Sequence, residues 1–205
     1  MIFKLAERLV DFQIKFGNLS DEDRIIYSYA YQLVLSRFFS LLLLLSISAA
    51  FGSMKEMLVF TAVFAVLRQY AGGLHLNSQE LCILFSAFLI GGISILLKHM
   101  SPLGLMPFWT GTEPVSGVII WAFSPVDSGN KRLSQEEKRR YSSRSRKIFA
   151  AGCLLFFIFT AAQQNLMAGS ISAAHLIIAA GMVMEMFHNV NLEQKKGVIF
   201  GIRRK

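Results

Sequence analysis

The stretch from Leu33 to Phe51, built around the five leucines Leu41–Leu45, constrains this chain more than any other segment. Its length, about 20 residues, matches what a helix needs to cross the hydrocarbon core of a bilayer. Further apolar runs follow at Met54–Leu67, Leu81–Leu97, Pro102–Phe123, Ile148–Ala162 and Ile171–Phe187. The first of these is short and crosses only if it borrows Gln69–Gly73. Pro102–Phe123 is interrupted by Gly104, Pro107, Gly111, Glu113 and Pro114. That pattern predicts a broken or re-entrant segment, which is tolerated where other helices cover its backbone. Over 205 residues the chain is 54% hydrophobic and only 17% charged, where soluble domains carry about a quarter charged residues. The expected fold is all-α, a polytopic membrane protein of one domain (1–205) with about six transmembrane segments, one of them broken or re-entrant.

The N-terminal region, residues 1–32, differs in kind. From Met1 to Phe16, Ile2, Leu5, Leu9, Phe12 and Phe16 recur at helical spacing among charged residues. This predicts an amphipathic helix lying at the interface. Lys4, Glu7, Arg8 and Asp11 break the apolar run, so no cleavable signal peptide is expected. Ser20 then stands before three acidic residues as a helix N-cap.

The net charge is +8, and its placement sets the orientation. Eight lysines and arginines fall between Lys131 and Lys147, within a basic loop spanning 124–147. Five more follow Phe187 in a tail, 188–205. Basic loops and tails stay on the cytoplasmic side, so both belong there and in contact with anionic membrane lipid. Six crossings then put both termini on the cytoplasmic side of a cell membrane. No nucleic-acid partner is needed to account for the charge.

One segment carries chemistry-bearing residues at a span boundary: "LRQYAGGLHLNSQELC", Leu67–Cys82. Gly72 and Gly73 permit a turn that other residues resist. Asn77 and Glu80 have capping-box spacing, and Leu76 and Leu81 that of a hydrophobic staple, so a helix is expected to start at Asn77. His75 and Cys82 can then meet. A histidine beside a cysteine activates the thiol by taking its proton or by pairing as imidazolium, and glycine backbone N–H groups suit an oxyanion. On spacing alone, a lone Cys and a lone His near a helix start are usually inert. Arg68 can serve a substrate carboxylate or oxyanion, or snorkel to headgroups. Asp127 and Asn130 can orient an imidazole or shape their loop through Asx-type bonds.

Elsewhere the residues read as structure. Cys82 and Cys153 lie in different apolar segments and are too few for a disulfide framework. Cys153 is expected to be buried and unreactive, and His175, mid-span, to be a hydrogen-bonded packing residue. Glu185 lies near a membrane end. Gly169 and Gly181 suit close helix packing. No HExxH or CxxC pair occurs, so no metal or other cofactor is expected.

The pattern Arg68–Gly72–Gly73–His75–Cys82 in a small basic polytopic chain resembles the AgrB family (accessory gene regulator protein B), membrane endopeptidases of Gram-positive quorum sensing. "SPVDSGNK", Ser124–Lys131, resembles the family's Pro, Asp, Asn and Lys loop motif, with Arg132 where members commonly have proline. The resemblance implies a cysteine endopeptidase that cleaves an AgrD-like propeptide and closes it into a thiolactone or lactone. It implies Cys82 as nucleophile, His75 as base, support from Arg68, Gly72, Gly73, Asp127, Asn130 and Lys131, and a homodimer. A small transporter, with 102–114 lining a pathway, is the alternative from another class.

Overall fold

The computed structural model describes residues 2–17, 19–73, 79–99, 102–127 and 133–202, with the backbone alone at 79–80, 82–83, 98–99, 102–103 and 191–202. Every regular element among the described residues is helical: α1 (Ile2–Lys15), α2 (Arg24–Phe51), α3 (Met54–Ala71), α4 (Gln79–His99), α5 (Pro102–Phe123), α6 (Gln135–Ala161) and α7 (Asn165–Ile202). Among the described residues two stretches are long and apolar enough to cross a membrane, Asp21–Phe51 and Asn165–Val190, and Leu84–Leu97 is a shorter apolar helix. The all-helical expectation is met; of the six expected crossings, two pass this test of length and hydropathy.

The chain divides into two compact units, Met1–Gly52 with Leu76–Gly92, and Ser53–His75 with Ile93–Lys205. In the first, α1 packs on α2, and Arg24 pairs with Asp11 at 2.5 Å. The buried residues of α1 are Ile2, Ala6 and Val10, whereas Leu5, Leu9, Phe12 and Phe16 are exposed. The expected apolar face therefore splits. Ile2 turns inward with the small residues, and the larger ones form an outward face suited to an interface. Ser20 caps only a 3-10 turn, Asp21–Asp23, and its hydroxyl donates to the Asp23 carboxylate at 3.0 Å in place of a backbone cap. Helix α2 ends at Gly52, whose φ of 65° suits a left-handed C-terminal residue. Its apolar residues point in every direction, as lipid-facing helices require.

In the second unit α7 packs against α3, α5 and α6. Leu67, Ala71, Ile120, Phe149, Ile178, Ala179 and Met182 form its buried core. The Ser53 hydroxyl donates to Ser94 at 3.0 Å, tying the start of α3 to the end of α4. Gly169 lets α7 approach α5, since a Cβ there would lie 3.0 Å from Trp109 Nε1.

Two expectations change. Pro102–Phe123 is one continuous helix with Pro107 and Pro114 inside it, not a broken segment. Each proline removes the N–H that would meet the carbonyl four residues earlier, at Leu103 and Thr110, yet the helix runs on through both. Thr110 donates to the Met106 and Pro107 carbonyls at 2.9 and 3.0 Å. Thr112 and, from α7, Ser172 donate to the Trp109 carbonyl at 3.0 and 3.1 Å. The basic loop is likewise largely helix. From Gln135 onward it is continuous with the apolar half of α6. Ser134 opens that helix with a complete capping box, its hydroxyl accepting from Glu137 N–H at 3.2 Å while Glu137 accepts from Ser134 N–H at 2.9 Å.

Candidate active site

The expected turn after α3 is present and its residues are tightly constrained. Gly72 and Gly73 have φ of 81° and 132°, conformations that glycine alone adopts freely. Gly72 N–H donates to the Arg68 carbonyl at 3.2 Å, closing the helix, and Val126 N–H donates to the Ala71 carbonyl at 3.1 Å. A Cβ on Gly72 would lie 2.6 Å from the Val126 carbonyl oxygen. A Cβ on Gly73 would lie 2.9 Å from Arg68 Nη1 and 3.7 Å from the Gly181 backbone. The Arg68 guanidinium also sits over the Phe64 ring, 5.7 Å from its centroid. Three of the motif residues thus form one unit. Gly72→Ala combines a disfavoured φ with a backbone collision, and should destabilise the protein by about 1–3 kcal/mol. A thermal melt in detergent measures the loss, and an unchanged midpoint would contradict the docking of Val126 on this turn.

His75 and Asn77 lie outside the described residues, and so do the side chains of Glu80 and Cys82. The backbone places Cys82 at the fourth residue of α4, near its N-terminal end. Helix α4 is described from Gln79 onward; the start expected at Asn77 lies beyond that limit.

The segment after α5 meets the same turn. Asp127 accepts Leu133 N–H at 3.4 Å through Oδ1 and pairs with Lys138 at 2.5 Å through Oδ2. Its carbonyl accepts from Asn189 at 2.8 Å. Asp127 is thus engaged with Leu133, Lys138 and Asn189. Asn130 and Lys131 lie outside the described residues. Glu185, 2% exposed, stands one helical turn beyond Gly181 and Met182 on α7 and one turn before Asn189. It is a buried acid on the stripe that faces the turn and the Val126–Asp127 segment, and its proximity to the motif was not visible in the sequence.

A second constellation joins three helices of this unit. His175 Nδ1 lies 3.0 and 3.2 Å from the two carboxylate oxygens of Glu113. The Cys153 thiol donates to Glu113 at 3.4 Å. Glu113 is on α5, Cys153 on α6 and His175 on α7. His175 is fully buried, and its ring fits only because residue 152 is glycine, where a Cβ would lie 2.4 Å from Nε2. The expected hydrogen-bonded packing role of His175 is met, and its partner is the residue read from sequence only as a helix interruption. An ionisable residue in an apolar span needs a partner; two such residues on different spans, Glu113 and His175, were the available signal. The thiol is half-buried, where full burial was expected. Glu113, Cys153 and His175 offer ligand atoms within 4.8 Å of one another and form a donor set that can hold a metal ion. Metal on Nδ1 would require the ring proton on Nε2, which is buried with no acceptor among the described residues. The mutual hydrogen bonds therefore suit the donor set better than a metal does.

Comparison with known proteins gives one consistent result. The family model described as "Accessory gene regulator B" matches residues 6–188. AgrB-like protein 2 of Clostridium perfringens strain 13 is 26% identical over 149 residues, covering 68% of this chain and 66% of that protein. An AgrB-like protein of Clostridium perfringens strain SM101 is 25% identical over 147 residues, covering 67% and 65%. The match thus spans just under two thirds of each relative's length. No solved structure matches the chain. With a family match that extends over nearly all of its helices, the chain belongs to the accessory gene regulator B family.

Proposed function

We propose that the protein is a membrane cysteine endopeptidase that cleaves an AgrD-like propeptide and cyclises the product for quorum sensing. The observation that carries this reading is the family match across residues 6–188, which encloses Arg68, Gly72, Gly73, His75 and Cys82. The constrained geometry of the first three supports it, since a glycine turn leaves a substrate backbone room to approach.

In the proposed reaction His75 takes the proton of the Cys82 thiol, and the thiolate attacks the scissile carbonyl carbon of the propeptide. Backbone N–H groups near the glycine turn, with Arg68, hold the oxyanion. The C–N bond breaks, and the leaving amine takes its proton from the His75 imidazolium. A thioester on Cys82 remains. A thiol or hydroxyl within the bound propeptide then gives its proton to His75, attacks that thioester, closes the ring, and returns Cys82 as thiolate beside the imidazolium. Holding the internal nucleophile close raises its effective concentration over water. Asp127, Asn130 and Lys131 serve as further support. Six crossings with both ends cytoplasmic, and a homodimer, complete the proposed assembly. The transporter alternative rested on a broken pathway segment, and the continuity of α5 removes that support.

The test is to incubate the protein in lipid with its matched propeptide and follow the products by mass spectrometry. A covalent adduct on Cys82, a released C-terminal tail and a cyclic product are expected. Tail release with the adduct on Cys153, or with no dependence on any cysteine, would refute the mechanism.

A further inference from the structure

On α6, Arg139, Ser142, Ser143, Arg146 and Lys147 follow one another at spacings of three, four, seven and eight residues from the first, the spacing of a single helical face. With Trp121 at the end of α5 they line a groove of about 420 Å³. Three cations and two hydroxyls therefore share one depression. Other basic residues of this helix are engaged elsewhere: Lys138 with Asp127, Arg140 with Glu136, and Arg144 over the Tyr70 ring. Arg139, Arg146 and Lys147 have no acidic partner among the described residues.

Arg146 is held in place by its neighbours. Its Nη2 donates to the Trp121 carbonyl at 2.9 Å, and its guanidinium lies over the Trp121 ring, 5.1 Å from the centroid. Yet its Nε is buried with no hydrogen-bond partner among the described residues. A guanidinium fixed by its neighbours, flanked by two more cations and two serines, is suited to a phosphate group.

The position of the groove selects the kind of phosphate. It lies where α6 changes from charged to apolar, immediately before Ile148, and in the last turn of α5. Tryptophan favours this level of a membrane. The same face of α6 continues past the groove as Ala150, Ala151, Leu154 and Ile158, all exposed, and Val118 is exposed one turn before Trp121. A basic cradle thus leads directly into an uncovered apolar stripe, which matches the two ends of a lipid and leaves a free phosphate ion or an acidic peptide with half of the surface unused.

We propose that this groove binds the headgroup of an anionic phospholipid, its phosphate against Arg139, Arg146 and Lys147 and its acyl chains along the stripe from Ala150 to Ile158. Binding by this groove is independent of the peptidase reading, since it uses none of the residues assigned to that reaction.

Native mass spectrometry of the detergent-purified full chain tests the idea by titration with phosphatidylglycerol, phosphatidylcholine or inorganic phosphate. The wild type should retain phosphatidylglycerol at least tenfold better than phosphatidylcholine. Arg139→Gln with Lys147→Gln, two exposed positions, should erase that preference, and Arg146→Gln should do the same. Arg140→Gln with Arg144→Gln removes equal charge outside the groove and should retain it. Equal loss in both double variants would reduce the effect to net charge and overturn the proposal. So would displacement of the lipid by equimolar inorganic phosphate, or by an acidic peptide, because either would show that the stripe contributes nothing.

Discussion

Replacing Cys82 with alanine should lower propeptide cleavage by at least about a thousandfold, because the proposed route has no acyl-enzyme without that thiol. His75→Ala should cost about 10²–10⁴-fold, the usual contribution of a positioned acid–base group. The double variant should be little worse than Cys82→Ala alone, since groups that act as a unit lose their joint contribution once. Rates of tail release in lipid, with circular dichroism to confirm equal helix content, measure all three. Cys153→Ala is the informative control. Cys153 donates its thiol hydrogen to Glu113, so its loss should alter stability modestly and leave the cyclised product in place. Cleavage that survives Cys82→Ala would sink the assignment even though family membership stands on other ground.

The second large effect concerns the helix core. Glu113→Ala should destabilise the protein by about 3–5 kcal/mol, because removing one member of a buried pair strands the other. The stranded group is His175, fully buried against Phe149 at a centroid distance of 4.6 Å. Cys153 loses its acceptor in the same step. Removing both partners, as in Glu113→Met with His175→Leu, should be milder than Glu113→Ala alone, since an apolar replacement of a buried polar pair is often neutral. Gly152→Ala supplies an independent probe, as its methyl would meet His175 Nε2. In a His175→Ala background the same methyl should cost less. Thermal denaturation in a fixed detergent gives these values, and simple additivity of Glu113→Ala and His175→Ala in the double variant would contradict a coupled pair.

How much of this was readable from the chain depends on the range of the interaction. The apolar runs at Leu33–Phe51 and Ile171–Phe187 announced α2 and the first part of α7, because length and hydropathy are local properties. The Gly72–Gly73 turn was legible for the same reason, since positive φ needs glycine wherever it occurs. Local signals misled elsewhere. Pro107 and Pro114 suggested a break, but α5 continues through both. The density of charge between Lys131 and Lys147 suggested a loop, although Ser134 and Glu137 already spelled a helix start. On α1 the heptad-like apolar residues were visible, whereas burial fell to Ile2 and to the small Ala6 and Val10. The Glu113–Cys153–His175 cluster lay beyond any local signal, as its members come from three helices and as many as 62 positions apart. The expected His75–Cys82 pairing depends on residues outside those described.

The continuity of α6 has a mechanical consequence. A helix of 27 residues is about 40 Å long, and this one contains no proline and a single glycine, Gly152. Kinks need proline, glycine or an inserted group, and that one glycine is wedged against the His175 ring. The rod therefore has no free joint. A displacement of its cationic end would therefore reach Cys153, and through it Glu113, as tilt instead of being absorbed in a bend.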